Sequence, residues 1–220
     1  MLKISCAEMK AMDAYAINEV GIPSIVLMEN AALGVIENID LDTLDSFTIV
    51  CAPGNNGGDG LAIARHLLVK NKKVDLFIIG DLDKATTDFQ INLNILKNMK
   101  ADFTSLTDAT GLDKLNSALS NNELTIDAIF GIGLDRPVTG LFYEVIERIN
   151  QASKNTLAVD IPSGLDGDSG KVLGLAIQAQ QTICFHLLKK GLVNKEHYTG
   201  EISVVAIGIP ESVTETILAQ

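Results

Sequence analysis

The chain has 220 residues, 47% of them apolar, which is enough to bury a sizeable core as one domain over residues 1–220. Its formal net charge of −11 argues against nucleic acid as the main partner, and no apolar run approaches the roughly 20 residues of a membrane span. Three widely spaced cysteines, without a CxxC pair, argue against a disulfide framework or a structural zinc site. With no secretory signal visible at the N-terminus, we expect a cytoplasmic protein that makes no membrane contact.

Apolar runs typical of buried strands alternate along the chain with amphipathic stretches typical of helices. The predicted elements are, in chain order, helices 6–19 and 24–38, strand 47–51, helix 60–70, strand 74–80, helices 85–98 and 112–120, strand 125–130, helix 142–152, strand 157–160, helix 173–179, and strands 181–185 and 201–207. This alternation predicts right-handed βαβ units in a mostly parallel sheet with helices on both faces. Ligands of such sheets bind beyond the carboxyl ends of the strands.

The loop "PGNNGGDG" follows the first predicted strand. Its glycines allow positive φ angles and let a ligand approach the backbone, and its two asparagines tolerate left-handed conformations. Asp59 falls at the start of the next helical pattern, so the loop predicts an anion site made of free N–H groups and a helix N-terminus. Neither a P-loop nor GxGxxG is present. The alternative is a tight strand–helix turn with surplus glycines.

The second glycine-rich loop, "DAIFGIGLDRPVTG", begins with an aspartate among apolar residues. A buried carboxylate is costly unless it is paired or metal-bound, so Asp127 is either a ligand or a side chain that faces solvent. Gly131 and Gly133 open the backbone after it. Arg136 either meets a phosphate or is a surface charge.

The third loop, "VDIPSGLDGDSG", places Asp160 at a strand end, where it is an acid/base candidate or a turn-forming residue. Ser163 has no G-x-S-x-G elbow, which excludes an α/β-hydrolase nucleophile. Asn56, Asp127 and Ser163 all carry oxygen at predicted strand ends, as a hard cation requires. One formal charge favours a monovalent ion over Mg²⁺ or Ca²⁺.

Two adjacent lysines, Lys189 and Lys190, follow a later predicted strand. One of them could point at the site, or both could lie on a surface turn. The histidines His66, His186 and His197 show no metal-ligand spacing, and His66 is expected at the edge of the core.

Seven segments in order, from about residue 5 to residue 210, resemble the YjeF N-terminal domain family, the NAD(P)H-hydrate epimerases. They are "AEMKAMD", "LMENAA", "GNNGGDGLAIARHL", "DAIFGIGLDRPVTG", "VDIPSGLDGDSG", "TICFHLLKKGL" and "GEISVVAIGIP". The resemblance implies a Rossmann-like three-layer α/β/α sandwich, a homodimer, and interconversion of the R and S hydrates of NADH and NADPH (NADHX and NADPHX) in cofactor repair. A separate or fused ADP/ATP-dependent NAD(P)H-hydrate dehydratase would act on the S form, and no such domain is expected within these residues.

The resemblance also implies roles for particular residues. Potassium would be held by Asn56, Asp127 and Ser163. Asp160 is the first candidate for the catalytic acid/base, and Lys189 is the second. The substrate would be bound by Asn55, Asn56, Gly57, Gly58, Asp59, Gly131, Ile132, Gly133, Leu134, Asp135, Arg136, Pro137 and Asp160.

The chain departs from the family pattern at two places before the lysine. Gln180 stands where the family usually has aspartate, and residues 186–188 read His-Leu-Leu where it often has Gly-Ala-Pro. These departures leave open a catalytically weak nucleotide-binding scaffold that acts through protein partners. A different nucleotide or phosphosugar enzyme on the same kind of sheet is the third possibility.

Overall fold

The structure is a computed structural model that describes residues 2–107 and 111–219. The strands within these residues are β1 (Lys3–Ile4), β2 (Ser46–Cys51), β3 (Lys73–Ile79), β4 (Thr104–Leu106), β5 (Leu124–Ala128), β6 (Thr156–Val159), β7 (Gln181–Phe185), β8 (Leu188–Lys189) and β9 (Glu201–Val205). The helices are α1 (Cys6–Asn18), α2 (Ser24–Glu37), α3 (Asn55–Val69), α4 (Thr87–Asn98), α5 (Leu112–Asn121), α6 (Gly140–Ala152), α7 (Glu196–Thr199) and α8 (Glu211–Leu218).

The central sheet has the strand order β4-β3-β2-β5-β6-β7-β9, and all of its strands are parallel. Successive residues of a strand face opposite sides, and Ile49 and Val50 of β2 accordingly enter two different apolar clusters. The cluster around Ile49 contains residues of α2, α3 and α4, and the cluster around Val50 contains residues of α5 and α6. The predicted Rossmann-like three-layer α/β/α sandwich is thus confirmed.

The order of the strands creates a crevice at the middle of the sheet. From β2 the chain continues outward on one side through β3 and β4, whereas from β5 it continues on the other side through β6, β7 and β9. Connections that diverge in this way leave a gap beyond the carboxyl ends of the two central strands. The glycine-rich loops after β2, β5 and β6 all open towards this gap.

One predicted helix, residues 173–179, is wrong. Gly174 has a positive φ of 86°, which does not continue a helix. The N–H groups of Leu173 and Ile177 donate to the carbonyl oxygens of Gly164 and Ser163. The segment is therefore extended because its hydrogen bonds go to the loop that follows β6 rather than to its own preceding turn.

The other differences concern boundaries and short elements. Helix α3 begins five residues earlier than predicted, and the short elements β1, β4, β8, α7 and α8 were not predicted. Among residues 2–107 and 111–219, no helix combines the length and the apolar character that crossing a membrane requires.

Candidate functional site

A cavity of about 840 Å³ lies at the carboxyl ends of β2, β5 and β6, within the size range of small-molecule sites. Many of its lining residues are those predicted to bind substrate, while Gly57, Gly58 and Pro137 do not line it. The predicted residues that do line it are Asn55, Asn56, Asp59, Gly131, Ile132, Gly133, Leu134, Asp135, Arg136 and Asp160.

The loop after β2 is shorter than predicted because residues 55–60 form the first turns of α3. Its glycines are needed for close approach and not for positive φ, since none of Gly57, Gly58 and Gly60 has a positive φ. A Cβ on Gly57 would lie 1.7 Å from the carbonyl oxygen of Ala52. These glycines are therefore not surplus, because they let α3 start directly against the end of β2.

The start of α3 presents unpaired backbone donors to the cavity. Its N-cap is Gly54, which supplies no side-chain cap, and Gly54, Asn55 and Asn56 line the cavity. The N–H groups of a first helical turn lack partners within the helix and favour negative charge. This part of the cavity suits a phosphate group.

Asp127 is fully buried near the end of β5, so the solvent-facing alternative is wrong. The hydroxyl of Ser163 donates to its Oδ1 at 2.6 Å, and the N–H of Ser163 donates to its Oδ2 at 2.8 Å. Burial raises the pKa of Asp127 to about 6, while hydrogen bonds from Ser163 and Ile129 act in the opposite direction. The loops after β5 and β6 are thus joined through one carboxyl group.

Asn56 approaches the same two loops from α3. Its Oδ1 would lie 3.3 Å from a Cβ on Gly131, and Phe130 donates its N–H to the hydroxyl of Ser163. The buried Nδ2 of Asn56 has no hydrogen-bond partner within the described part of the chain. The orphaned Nδ2 is a donor and fits an acceptor group of a bound ligand. The oxygen atoms of Asn56, Asp127 and Ser163, with one carboxyl group among them, fit a monovalent cation.

Asp160 and Lys189 form a buried ion pair at the wall of the cavity. The Nζ of Lys189 lies 2.5 Å from Oδ1 of Asp160 and donates to the carbonyl oxygen of Phe185 at 2.8 Å. Oδ1 of Asp160 also accepts the N–H of Phe185 at 3.0 Å. Asp160 has a φ of 63°, a backbone conformation rare outside glycine, and such strain is frequent at functional sites.

Lys189 is fully buried, so the surface-turn alternative applies only to Lys190, which is exposed. Burial by itself lowers the pKa of Lys189, but the charge of Asp160 opposes it and the net shift is upward. The lysine is therefore held in its ammonium form, with its proton directed at Asp160.

Asp59, another buried carboxyl group, also lines the cavity. Its side chain makes no hydrogen bond or ion pair among residues 2–107 and 111–219, although only 8% of the residue is exposed. Burial raises its pKa well above the ordinary value, and Asp160 and Asp13 add to the shift. Asp59 is thus shifted towards its protonated form, whereas Asp160 is paired with Lys189.

Asp13, on α1, was missed by the sequence reasoning. It lines the cavity, and burial raises its pKa to about 6, with Lys189 opposing and Asp160 reinforcing the shift. The signal in the sequence was its spacing, because Asp13 lies four residues from both Met9 and Ile17 and therefore shares their apolar helix face.

The two departures from the family pattern lie away from the cavity. Gln180 is at the amino end of β7, where its Oε1 accepts the N–H of Thr156 at 2.6 Å. His186 contacts Thr214 of α8, with 2.8 Å between Nε2 and Oγ1. Lys189 contacts Asp160 even though both departures are present. This weakens the argument that the chain is a catalytically weak scaffold. His66 is likewise away from the cavity and pairs with a glutamate.

This chain is similar to one protein family and to relatives that share one name. The model of the family described as "YjeF-related protein N-terminus" matches residues 24–191. A protein named NAD(P)H-hydrate epimerase from Anaerococcus prevotii is 43% identical over 99% of this chain and 100% of its own length. One of the same name from Levilactobacillus brevis is 41% identical over 94% of both chains.

A bifunctional NAD(P)H-hydrate repair enzyme from Moorella thermoacetica is 40% identical over 98% of this chain, which spans 42% of that protein. Among solved structures, the yeast protein YNL200c superposes with a TM-score of 0.80, covering 99% of this chain and 93% of its own. Its identity is 19%, so this likeness concerns the fold alone.

Proposed function

Because the chain belongs to the YjeF-related N-terminal family, we propose that it is an NAD(P)H-hydrate epimerase, the activity for which its relatives are named. It interconverts the R and S hydrates of NADH and NADPH, which are damaged forms of these cofactors. The observation that carries the proposal is the buried Asp160–Lys189 pair on the wall of a cavity of about 840 Å³ at the middle of the sheet. A fixed carboxylate in such a place suits a reaction through a cationic intermediate.

The chemistry requires no net redox change. The hydrate carries a hydroxyl group on the ring carbon next to the ring nitrogen, and the nitrogen lone pair can expel it to leave a planar cation. Water that returns on the other face inverts the centre. One group must protonate the departing oxygen and one must deprotonate the incoming water.

Asp160 is our candidate for a proton-transferring group, and Lys189 is the second. One oxygen of Asp160 is held by Lys189 and Phe185, which leaves Oδ2 for the substrate or for water. The ion pair also places negative charge next to the cationic ring. Lys189 thereby fixes the carboxyl group in position.

The remaining predicted residues that line the cavity would bind the dinucleotide. The uncapped first turn of α3 would receive a phosphate group, and Arg136 is exposed at the cavity and can add a positive charge. Asn56, Asp127 and Ser163 would hold potassium. When bound there, the cation would offset phosphate charge and link the three loops.

In the cell we expect a cytoplasmic homodimer that acts with an ADP/ATP-dependent dehydratase. The relative from Moorella thermoacetica is named as bifunctional, which supports a close link between two repair activities. In this chain the dehydratase would be a separate or a fused partner, and residues 1–220 would form the epimerase domain.

The function is tested by epimerisation itself. NADPH hydrate enriched in the R form is incubated with the purified protein, and the R to S ratio is followed by chromatography against the spontaneous rate. The assay is repeated with Asp160→Asn, which should lose the acceleration. Asp113→Asn is its matched control, since it makes the same substitution at an exposed position on α5. A ratio that changes no faster with protein than without it would refute the proposal.

A further inference from the structure

Helix α1 forms one wall of the cavity. The residues that line it repeat at three- and four-residue spacing and therefore share one helix face: Met9, Lys10, Asp13, Ala14, Ile17 and Asn18. The helix is fixed at its start by a capping box between Ser5 and Glu8. Strand β1, which precedes it, pairs with β8 so that Ile4 lies opposite Lys189. This pairing fixes the position of α1 relative to β8, the strand that contains Lys189.

Asp13 occupies this face without a partner of its own. Within residues 2–107 and 111–219 its carboxyl group makes no hydrogen bond and no ion pair, and Met9 and Ile17 lie one turn away on either side. A carboxyl group held against apolar neighbours costs stability unless something else requires it. The residue also lies outside positions 24–191, the segment that the family model matches.

The charged groups around Asp13 come from several parts of the chain. From the loop after β6, Asp160 raises the pKa of Asp13, and from β8, Lys189 lowers it. Asp59 of α3 also interacts with Asp13 electrostatically, and the exposed Lys10 lies beside it on α1. Burial raises the pKa of Asp13 to about 6, so it can both give and take a proton near neutral pH.

A second observation indicates that this group of carboxyls faces a ligand. Asp59 is more than nine-tenths buried, lines the cavity and has no partner among the described residues. It interacts electrostatically with both Asp13 and Asp160. The cavity thus has carboxyl groups on two walls, one provided by the end of β6 and the other by α1.

We propose that Asp13 is a further catalytic acid/base of the epimerisation, acting on the face of the nicotinamide ring opposite to the one that Asp160 serves. The inference rests on the proposed function. Inversion requires that the hydroxyl leaves from one face and that water returns to the other, and a single carboxylate on one wall reaches only one of them.

The steps balance without an added reactant. Protonated Asp13 gives its proton to the departing hydroxyl, the C–O bond breaks, and the nitrogen lone pair forms the C=N bond, which yields water and the ring cation. Water then adds on the other face, the C=N electrons return to nitrogen, and the proton of the added water passes to Asp160. Asp160 then releases its proton to solvent and Asp13 takes one up, which restores the starting state. The opposite conversion runs through the same steps in reverse.

The experiment measures inversion of the ring carbon and breaking of its C–O bond separately. Wild type, Asp13→Asn, Asp13→Glu and the control Asp113→Asn are each incubated with NADPH hydrate in water labelled with ¹⁸O. Chromatography reports epimerisation, and mass spectrometry of each epimer reports replacement of its hydroxyl oxygen. In Asp13→Asn we expect epimerisation to fall by at least about a hundredfold. Asp160 remains, so one epimer should still exchange its oxygen with retention of configuration.

Asp13→Glu keeps the carboxyl group and should restore part of the epimerisation, whereas Asp113→Asn should behave as wild type. If exchange and epimerisation fall by the same factor in Asp13→Asn, or if neither falls, the inference is overturned. If wild type itself does not epimerise the hydrate, the proposed function fails, and that result is distinct from a failure of the role of Asp13.

Discussion

Replacing Lys189 by methionine should strongly destabilise the protein. The substitution conserves the apolar part of the side chain but removes the ammonium group from a site with no exposure. Asp160 then loses its 2.5 Å partner, and the carbonyl oxygen of Phe185 loses its 2.8 Å donor. Removal of one member of a buried ion pair typically costs about 3–5 kcal/mol, because the other charge stays buried without compensation.

Removing both charges should cost less than removing one. In Asp160→Asn/Lys189→Met neither charge of the pair remains, so we expect the double variant to be about 1–3 kcal/mol more stable than Lys189→Met alone. In a chain of this length, a loss of about 4 kcal/mol lowers Tm by roughly 8–16 °C.

The assay is urea unfolding followed by far-UV circular dichroism for wild type, both single variants and the double variant. The m value should stay constant, so that the change in midpoint reports stability. A cost below about 1 kcal/mol for Lys189→Met, or a double variant no more stable than Lys189→Met, would refute the reasoning that the pair is buried and coupled.

Three further predictions concern the start of α3, the proposed cation site and Asp13. Gly57→Ala should destabilise the fold by at least about 3 kcal/mol, because the new Cβ would lie 1.7 Å from a backbone carbonyl oxygen. Gly58→Ala, which meets the flexible end of a methionine side chain at 2.7 Å, should cost clearly less in the same urea titration. Exchanging potassium for a bulky organic cation should lower Tm in wild type but not in Asp127→Asn, as thermal denaturation can show; an equal effect in both would exclude this site. The pKa of Asp13 is raised from 3.8 to about 6, so its ionisation destabilises the folded state as pH rises through that window. Asp13→Asn should thus be up to about 3 kcal/mol more stable than wild type at about pH 8 and no more stable at about pH 3; a gain of equal size at both would contradict a titrating carboxyl.

The sequence predicted the layers of the fold because the inner strands of the central sheet are buried on both faces. Runs such as that of β2 are almost entirely apolar, and the helical stretches between them repeat with helical spacing. Residues 173–179 have the composition of a helix, but their hydrogen bonds go to residues 163 and 164. A tertiary contact of this kind leaves no local trace in the sequence.

The site was predicted in outline for a similar reason. Asn56, Asp127 and Ser163 each follow or end an apolar strand, and the carboxyl ends of parallel strands meet at one edge. Asp13 lies on α1, and the alternation of strands and helices in the sequence does not predict where α1 packs. A rule about the ends of strands therefore could not identify this residue. Its place depends on the pairing of β1 with β8, which are two residues long and give no sequence signal.

The proposed epimerase activity is tested most directly by asking whether this protein allows a dehydratase specific for the S hydrate to repair the R hydrate. A dehydratase that acts on the S hydrate is given purified R-NADPH hydrate and ATP, with and without this protein, and the NADPH formed is measured. The account predicts that NADPH forms only at the slow spontaneous rate of epimerisation in the absence of the protein. In its presence, the rate should rise in proportion to the amount added. If NADPH forms at the same rate in both cases, while the S hydrate is repaired normally, the protein is not an epimerase.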